Sequence, residues 1–467
     1  MQTQRRRALG AWYTPDSLVD LAVESALAPL VADRTLVEVG DMRVLDPACG
    51  DGAFLRGVLR FFSRLPGSPR PTVCGVDVDP AAVREATASL GAAAEIVRAD
   101  WLLPPGAAGR PWQAIVGNPP WVGVRSMPAA QRQALGVHYA TAVGQFDLMA
   151  PFVERSLASL APGGRASLLL PDRWLLNREG EPLRRLVVTK GRLLEVIRLG
   201  EDRFRGVNMP SLLAVLGPPA TPSDGPPPST VVRDGPQGAP RTFDLGSFVR
   251  WDQLRFPLHL SLDEVDRAER MASSGVALSS LVRNGRGVEL GKRSPHVQDE
   301  PGPGFVPILF GEDIDRYHLG RGRHVRWGVK SVRYKDPSLY RGPKLLLRKT
   351  GVGVRAALDR SDRLVSQVVY VLTPRADQAA WLLGILNSAS FQFLHRARNG
   401  EADKRVFPHL RQGDVLALPV PRPGGDGARE IAKLADQRMG ETDERRSVHL
   451  DRAIDALVES AYSASAQ

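Results

Sequence analysis

Short apolar runs alternate with amphipathic stretches through the first half of the chain, and that alternation restricts the possible folds severely. Arg43–Asp46, Val73–Asp77, Glu95–Arg98, Ala114–Gly117, Ala166–Leu170, Leu194–Leu199 and Leu212–Leu216 have strand length and turn residues at their borders. Between them, Phe54–Arg64, Ala81–Leu90 and Asp147–Leu160 carry apolar residues at helical spacing, the last running into Pro162-Gly163-Gly164 as a stop. Apolar strands separated by helices predict an α/β fold, with a parallel sheet covered by helices on both faces. Residues 218–240, rich in Pro, Gly, Ser and Thr, read as a surface excursion or linker. From about Trp251 the apolar runs shorten, and arginines are interspersed with aromatics. This change predicts two domains, 1–250 and 251–467.

Composition narrows the class of partner. With 467 residues, 43% of them hydrophobic, the chain is long enough for two buried cores. A net charge of +11 suits a polyanion such as nucleic acid. Cys49 and Cys74 are the only cysteines, too few for a disulfide framework or a Cys-rich zinc site, and they point to a reducing compartment. Arg5, Arg6 and Arg7 have no apolar stretch behind them, and no run reaches membrane-spanning length. A cytoplasmic protein without membrane or metal is expected.

Four segments at strand ends carry chemistry. In Val44-Leu45-Asp46-Pro47-Ala48-Cys49-Gly50-Asp51-Gly52, a strand enters a glycine-bearing turn before a helix. Such a turn lets backbone approach a ligand at the carboxyl edge of the sheet. In Gly75-Val76-Asp77-Val78-Asp79-Pro80, Asp77 ends the second strand, where a carboxylate can accept both hydroxyl hydrogens of a ribose. Asp79, before Pro80, reads better as a helix start. Asp100 and Trp101 end the third strand; there a ligand-binding carboxylate and a solvated loop residue remain alternative readings of Asp100.

Gly117-Asn118-Pro119-Pro120-Trp121 follows the fourth strand. An exocyclic base amine is a poor nucleophile because its lone pair is delocalised into the ring. The side-chain oxygen of Asn118 and the carbonyl of Pro119 can accept its two hydrogens, and Pro119 and Pro120, with φ fixed, hold that carbonyl in place. Trp121 offers a face for a base rotated out of a duplex, a contact worth about 1–3 kcal/mol.

In these motifs and their order the chain resembles the amino-methylating DNA methyltransferases of the gamma arrangement, the TaqI-type adenine-N6 enzymes in particular. Trp12-Tyr13-Thr14-Pro15-Asp16 stands before the glycine turn, as that arrangement requires, with Thr14 also suited to cap a helix starting at Pro15. The similarity continues through Leu160-Ala161-Pro162-Gly163-Gly164, Pro171 and Trp174, and Leu199-Gly200-Glu201 leading to Phe204. In the second half, Glu300–Leu309 and Phe407-Pro408-His409-Leu410 look like parts of that family's target-recognition domain.

The resemblance implies a Rossmann-like S-adenosylmethionine-dependent methyltransferase sheet followed by a mixed α+β target-recognition domain. S-adenosylmethionine contacts would fall on Thr14, Asp46, Ala48, Asp77, Asp100 and Phe152, with Gly50, Val78 and Trp101 adjoining them. Asn118 and Pro119 would be catalytic, and Trp121 and Phe204 would stack on the base. Asp46 stands where the family has Glu, and Trp121 where it has Tyr, which shortens one contact and enlarges one ring. Double-stranded DNA is the implied substrate, any restriction endonuclease partner a separate protein, and a monomer the expected state.

The basic stretch His318 to Arg348 would reach bases and phosphates through Arg321, Arg323, Arg326, Arg333, Arg341 and Arg348, interleaved with Trp327, Tyr334 and Tyr340. His395-Arg396-Ala397-Arg398 and Lys404-Arg405 form a second basic group. Asn-Pro-Pro-aromatic serves any planar amine, so cytosine N4 or an RNA or protein amide is an alternative target. A catalytically idle DNA-recognition subunit is another. Cytosine-C5 chemistry is excluded, since it needs a nucleophilic cysteine after a proline in a suitable loop.

Overall fold

The computed structural model describes residues 14–103, 110–201, 209–218, 229–399 and 410–464. The chain divides into two compact units, Met1–Leu258 and His259–Gln467.

The first unit contains α1 (Asp16–Val31), β1 (Arg43–Asp46), α2 (Ala53–Ser63), β2 (Thr72–Asp77), α3 (Pro80–Leu90), β3 (Glu95–Arg98), β4 (Trp112–Gly117), α4 (Ala129–His138), α5 (Met149–Ser159), β5 (Leu160–Pro171), α6 (Glu181–Lys190), β6 (Arg192–Gly200), β7 (Ser211–Gly217), β8 (Thr230–Asp234) and β9 (Arg241–Phe243). They form one nine-stranded sheet in the order β3-β2-β1-β4-β5-β7-β6-β8-β9. β1 pairs in parallel with both β2 and β4, so the strand order reverses beside it, and crevices at such a reversal are where open α/β sheets bind ligands. The α/β reading of the sequence holds, but two strands depart from a purely parallel sheet: β7 runs antiparallel to β5 and β6, and β9 antiparallel to β8. All seven residues of β7 are buried, so its uniform apolarity gives no indication of direction.

Helix α2 packs through Phe54, Leu55, Val58 and Phe62, an apolar stripe at helical spacing. α3 begins where Asp79 Oδ1 accepts a hydrogen bond from the Ala81 amide at 3.0 Å, with Pro80 in the first turn, as the sequence indicates. α1 begins differently from the expectation. Its N-cap is Pro15 and no side chain caps it, so Thr14 is not a helix cap.

Other boundaries also move. α5 stops at Ser159, and β5 already starts at Leu160 and passes through Pro162-Gly163-Gly164. The strand accommodates these residues in an irregularity where its pairing with β4 jumps from Trp112↔Leu160 to Ala114↔Arg165. Within the Pro- and Gly-rich stretch read as an excursion, Thr230–Asp234 is a strand paired in parallel with β6. Alternate buried residues Thr230 and Val232 supply the strand signal that composition hides. The first unit also extends past residue 250, because Trp251, Leu254 and Phe256 are buried and the aromatic rings of Phe248, Trp251, Trp174 and Phe256 stack edge-on.

The second unit is mixed α+β: α7 (Leu262–Ser274), β10 (Val276–Ala277), β11 (Val282–Arg286), β12 (Val297–Gln298), β13 (Phe305–Leu309), β14 (Arg323–Arg326), β15 (Lys344–Arg348), β16 (Ala356–Asp359), β17 (Leu364–Val365), β18 (Val369–Pro374), α8 (Ala379–Asn387), α9 (Ala389–Arg398), β19 (Pro419–Val420), α10 (Gly425–Gly440) and α11 (Glu444–Ala464). Two four-stranded sheets, β11-β18-β15-β16 and β12-β14-β13-β17, share a core that includes Ile308, Val325, Leu346 and Val371. Among the described residues no helix is long and apolar enough to cross a membrane.

Candidate active site

The carboxyl ends of β1, β2 and β4 bring Asp46, Asp77 and Asn118 to one edge of the sheet. Asp46 is fully buried. Its Oδ1 accepts a hydrogen bond from the Ala48 amide at 3.0 Å, while Oδ2 has no hydrogen-bond partner among the described residues. Burial pushes the Asp46 carboxyl well above the usual carboxylate range, and the nearby charges of Asp77 and Asp51 push the same way. Strand β4 can end against this carboxylate only because residue 117 is glycine: a Cβ there would lie 2.7 Å from Asp46 Oδ1.

Asp77 is a backbone acceptor on both oxygens. Gly50 donates to Oδ2 at 2.8 Å and Asp79 donates to Oδ1 at 2.8 Å. Burial raises its pKa, against the opposing effect of those two amides. Gly50 sits at φ 55°, a conformation that aims its amide back at β2 and suits glycine. Beside Asp77, Val78 leaves an apolar side chain about half exposed, at 49%.

Asp100 accepts the Leu102 amide at 2.9 Å and so shapes the turn after β3. Trp101 lies under the Arg155 guanidinium, 4.3 Å from its ring centre. Phe152, on α5, is buried in a cluster with Leu102, Tyr139 and Phe146, against which Ala48 and Trp101 pack. The turns after β1 and β3 thus meet at Phe152. Arg155 and Glu154 were not singled out in the sequence. Glu154 takes the Thr141 amide at 2.9 Å and its hydroxyl at 2.8 Å, tying the preceding loop to α5. An acid-base pair inside an amphipathic helix resembles any solvated face, so no sequence signal distinguished them.

Asn118 Nδ2 donates to the hydroxyl of Thr14 at 3.3 Å, whereas Asn118 Oδ1 is buried with no partner among the described residues. Buried acceptors are rarely left unpaired in folded proteins, and each one that is calls for a partner such as a ligand or a water. Pro119 is buried and Pro120 half-buried. Trp121 is only 9% exposed, so its ring is enclosed and does not stand out as an open platform. Phe204 lies outside the described residues, as do Lys404, Arg405, Phe407, Pro408 and His409. Cys49 and Cys74 are buried free thiols, and among the described residues no cluster of His, Cys, Asp or Glu could hold a metal.

In the second unit the basic stretch separates into distinct roles. Arg321 pairs with Glu300 at 3.1 Å, Arg323 with Asp299 at 3.1 Å, and Arg333 with Glu289 at 3.7 Å. Arg326 and Arg341 are exposed, and Trp327, 48% exposed, rests on Tyr334 with ring centres 4.7 Å apart. Tyr340 belongs to the core, where its apolar ring packs. His395 is also inside: burial pulls its pKa down to about 4, and Asn399 Nδ2 lies 3.0 Å from Nε2. It is a neutral core residue near neutral pH, not part of a basic surface.

A family model for Eco57I restriction-modification methylases matches residues 92–204, and one for the TaqI-like C-terminal specificity domain matches residues 306–420. The type II methyltransferase M.TthHB8I of Thermus thermophilus is 31% identical over 376 residues, covering 76% of this chain and 78% of that one. The type II methyltransferase M.PaeR7I of Pseudomonas aeruginosa is 32% identical over 211 residues, covering 39% of this chain and 35% of that one. Among solved structures, the type IIL restriction-modification enzyme MmeI in complex with DNA shares the fold, with a TM-score of 0.68 and 13% identity over 99% of this chain and 77% of that one. With both halves matched and the first relative aligned over most of its length, the chain belongs to the type II restriction-modification DNA methyltransferases, an α/β methyltransferase fold followed by a TaqI-like specificity domain.

Proposed function

We propose that this methyltransferase modifies adenine N6 within a specific sequence of double-stranded DNA, using S-adenosylmethionine. The observation that carries the reading is Asn118 Oδ1, a buried acceptor left unpartnered among the described residues at the end of β4. An amine with two hydrogens to place is the partner it lacks. The adenine assignment is supported by the resemblance to TaqI-type enzymes.

The residues at the sheet edge fit the cofactor. Asp46 Oδ2 is a second buried acceptor without a partner among the described residues, suited to an ammonium group. Asp77 keeps lone pairs on both oxygens for ribose hydroxyls. Asp100, Val78, Trp101 and Phe152 would hold the adenine ring, and Gly50, Ala48 and Thr14 would line the remainder. S-adenosylmethionine, when bound, supplies a methyl group on a positively charged sulfur.

Asn118 Oδ1 and the Pro119 carbonyl accept the two amine hydrogens, which draws the nitrogen lone pair out of conjugation and toward the methyl group. The nitrogen would gain the methyl group as that carbon's bond to sulfur breaks, the sulfonium leaving as a neutral thioether, and would release one hydrogen as a proton. Because the donor and acceptor positions are fixed before reaction, little reorganisation is left for the transition state. Trp121 and Phe204 would enclose the extruded base, and the specificity domain would select the site. The enzyme would act as a monomer, with any endonuclease a separate protein.

Base-resolved sequencing and mass analysis of DNA from an expressing host should find N6-methyladenine at one recurrent sequence; N4-methylcytosine would displace the adenine assignment. On that duplex Asn118→Ala should bind DNA and cofactor nearly normally and lose about a hundredfold or more in single-turnover rate. Near-normal turnover would defeat the proposed role of Asn118.

A further inference from the structure

We infer that Thr14 is a positioning residue for methyl transfer: its hydroxyl holds the Asn118 amide so that Oδ1 faces the target amine. The inference rests on the reading of Asn118 given above and adds a residue to it. Thr14 precedes Asn118 by 104 residues, yet its hydroxyl takes the Nδ2 hydrogen at 3.3 Å. The residue is 4% exposed, so little water is available to replace that contact.

Two features assign the hydroxyl to Asn118 and not to its own helix. The α1 N-cap is Pro15 and makes no side-chain cap bond, so the helix places no demand on Thr14. A residue before proline is also confined to extended backbone, which limits where its side chain can project.

An asparagine amide sits on a broad, roughly two-fold torsion, so its oxygen and nitrogen ends exchange places by a half-turn. With Oδ1 toward the base, the amine hydrogens meet an acceptor. With Nδ2 there, donor faces donor and the amine keeps its conjugation. The incoming base selects the first orientation, but that orientation requires Nδ2 to have a partner on the opposite side. Thr14 is that partner, and it limits the wobble of the amide plane in the bound complex.

The test is single-turnover methylation on the cognate duplex at saturating cofactor, with cofactor and DNA affinities measured separately for each variant. Thr14→Val should slow methyl transfer about tenfold while DNA affinity stays within about threefold, and Thr14→Ser should restore most of the rate. In the Asn118→Ala background Thr14→Val should cost nothing further, because its effect passes through the amide. Thr14→Ala replaces Thr14→Val if the latter does not fold. An unchanged rate in Thr14→Val, an effect confined to cofactor affinity, or a loss that adds to that of Asn118→Ala would each overturn the inference. The two readings fail separately: normal turnover in Asn118→Ala removes both, whereas slow Asn118→Ala with normal Thr14→Val removes only the role of Thr14.

Discussion

Gly50 donates its backbone N–H to Asp77 Oδ2 at 2.8 Å, so one carboxylate fastens the glycine turn after β1 to the end of β2. Its other oxygen holds the Asp79 amide at 2.8 Å, at the entrance to α3. Asp77 therefore supports the shape of the cofactor edge in addition to offering acceptors to a ribose.

Asp77→Ala should consequently show two separable losses. Cofactor affinity should fall at least tenfold, about 1.4 kcal/mol. Stability without cofactor should also fall by about 1–3 kcal/mol, because two partly buried amides lose a charged acceptor. Calorimetric titration reads the first and denaturant unfolding the second. Unchanged cofactor affinity would remove Asp77 from the site, while unchanged stability would show that water replaces it at Gly50 and Asp79.

In the second unit, Lys344 and Asp359 lie directly opposite each other on β15 and β16, with Nζ 3.0 Å from Oδ2 and both side chains essentially inaccessible. Asp359 Oδ1 also accepts from Arg363 at 3.0 Å and from the Ser361 hydroxyl at 2.7 Å. Burial lowers the Lys344 pKa in spite of its partner, which reflects the cost of holding this charge inside. Removing one member of a buried pair typically costs about 3–5 kcal/mol, more than removing both. Lys344→Met should therefore be strongly destabilising, and adding Asp359→Leu should recover part of the loss in the urea midpoint. A double variant no better than Lys344→Met would show that Arg363 and Ser361 already satisfy Asp359.

Much of this framework was legible in the sequence because the strands of a covered sheet are uninterrupted apolar runs, and because Asp46, Asp77 and Asn118 end such runs. The strand beginning at Leu160 was less legible. Pro162-Gly163-Gly164 signals a break, and only the pairing with β4 shows that the chain absorbs it as an irregularity. Thr14 likewise presents a helix-cap pattern, and its bond to Asn118 depends on two distant segments meeting. His395 and Tyr340 look like surface groups in a basic stretch, yet both are core residues whose inward orientation depends on tertiary packing. The short β10, β12, β17 and β19, two residues each, are below the length at which alternation can be read.

Asp46 leads to a prediction about pH. Its pKa is raised in the folded protein, chiefly by burial, so the folded state holds a proton that the unfolded chain releases near pH 3.9. The stability linked to that proton is full below this value and is lost as pH rises through the folded-state pKa. Asp46→Asn cannot ionise and keeps an oxygen for the Ala48 amide, but it buries an amide nitrogen in place of Oδ2, a roughly pH-independent penalty. The difference in stability between Asp46→Asn and the parent should therefore shift in favour of Asp46→Asn as pH rises above about 4, by up to about 1.4 kcal/mol per pH unit, until the folded-state pKa is passed. Subtracting the two curves removes the other carboxylates to first order, including Asp77, whose charge acts on Asp46. If the cofactor ammonium meets an ionised Asp46, binding should also release a proton. Calorimetry in two buffers of different ionisation enthalpy would register that proton for the parent and not for Asp46→Asn. Parallel stability curves would show that Asp46 ionises alike in both states, and equal proton release would place the cofactor ammonium elsewhere.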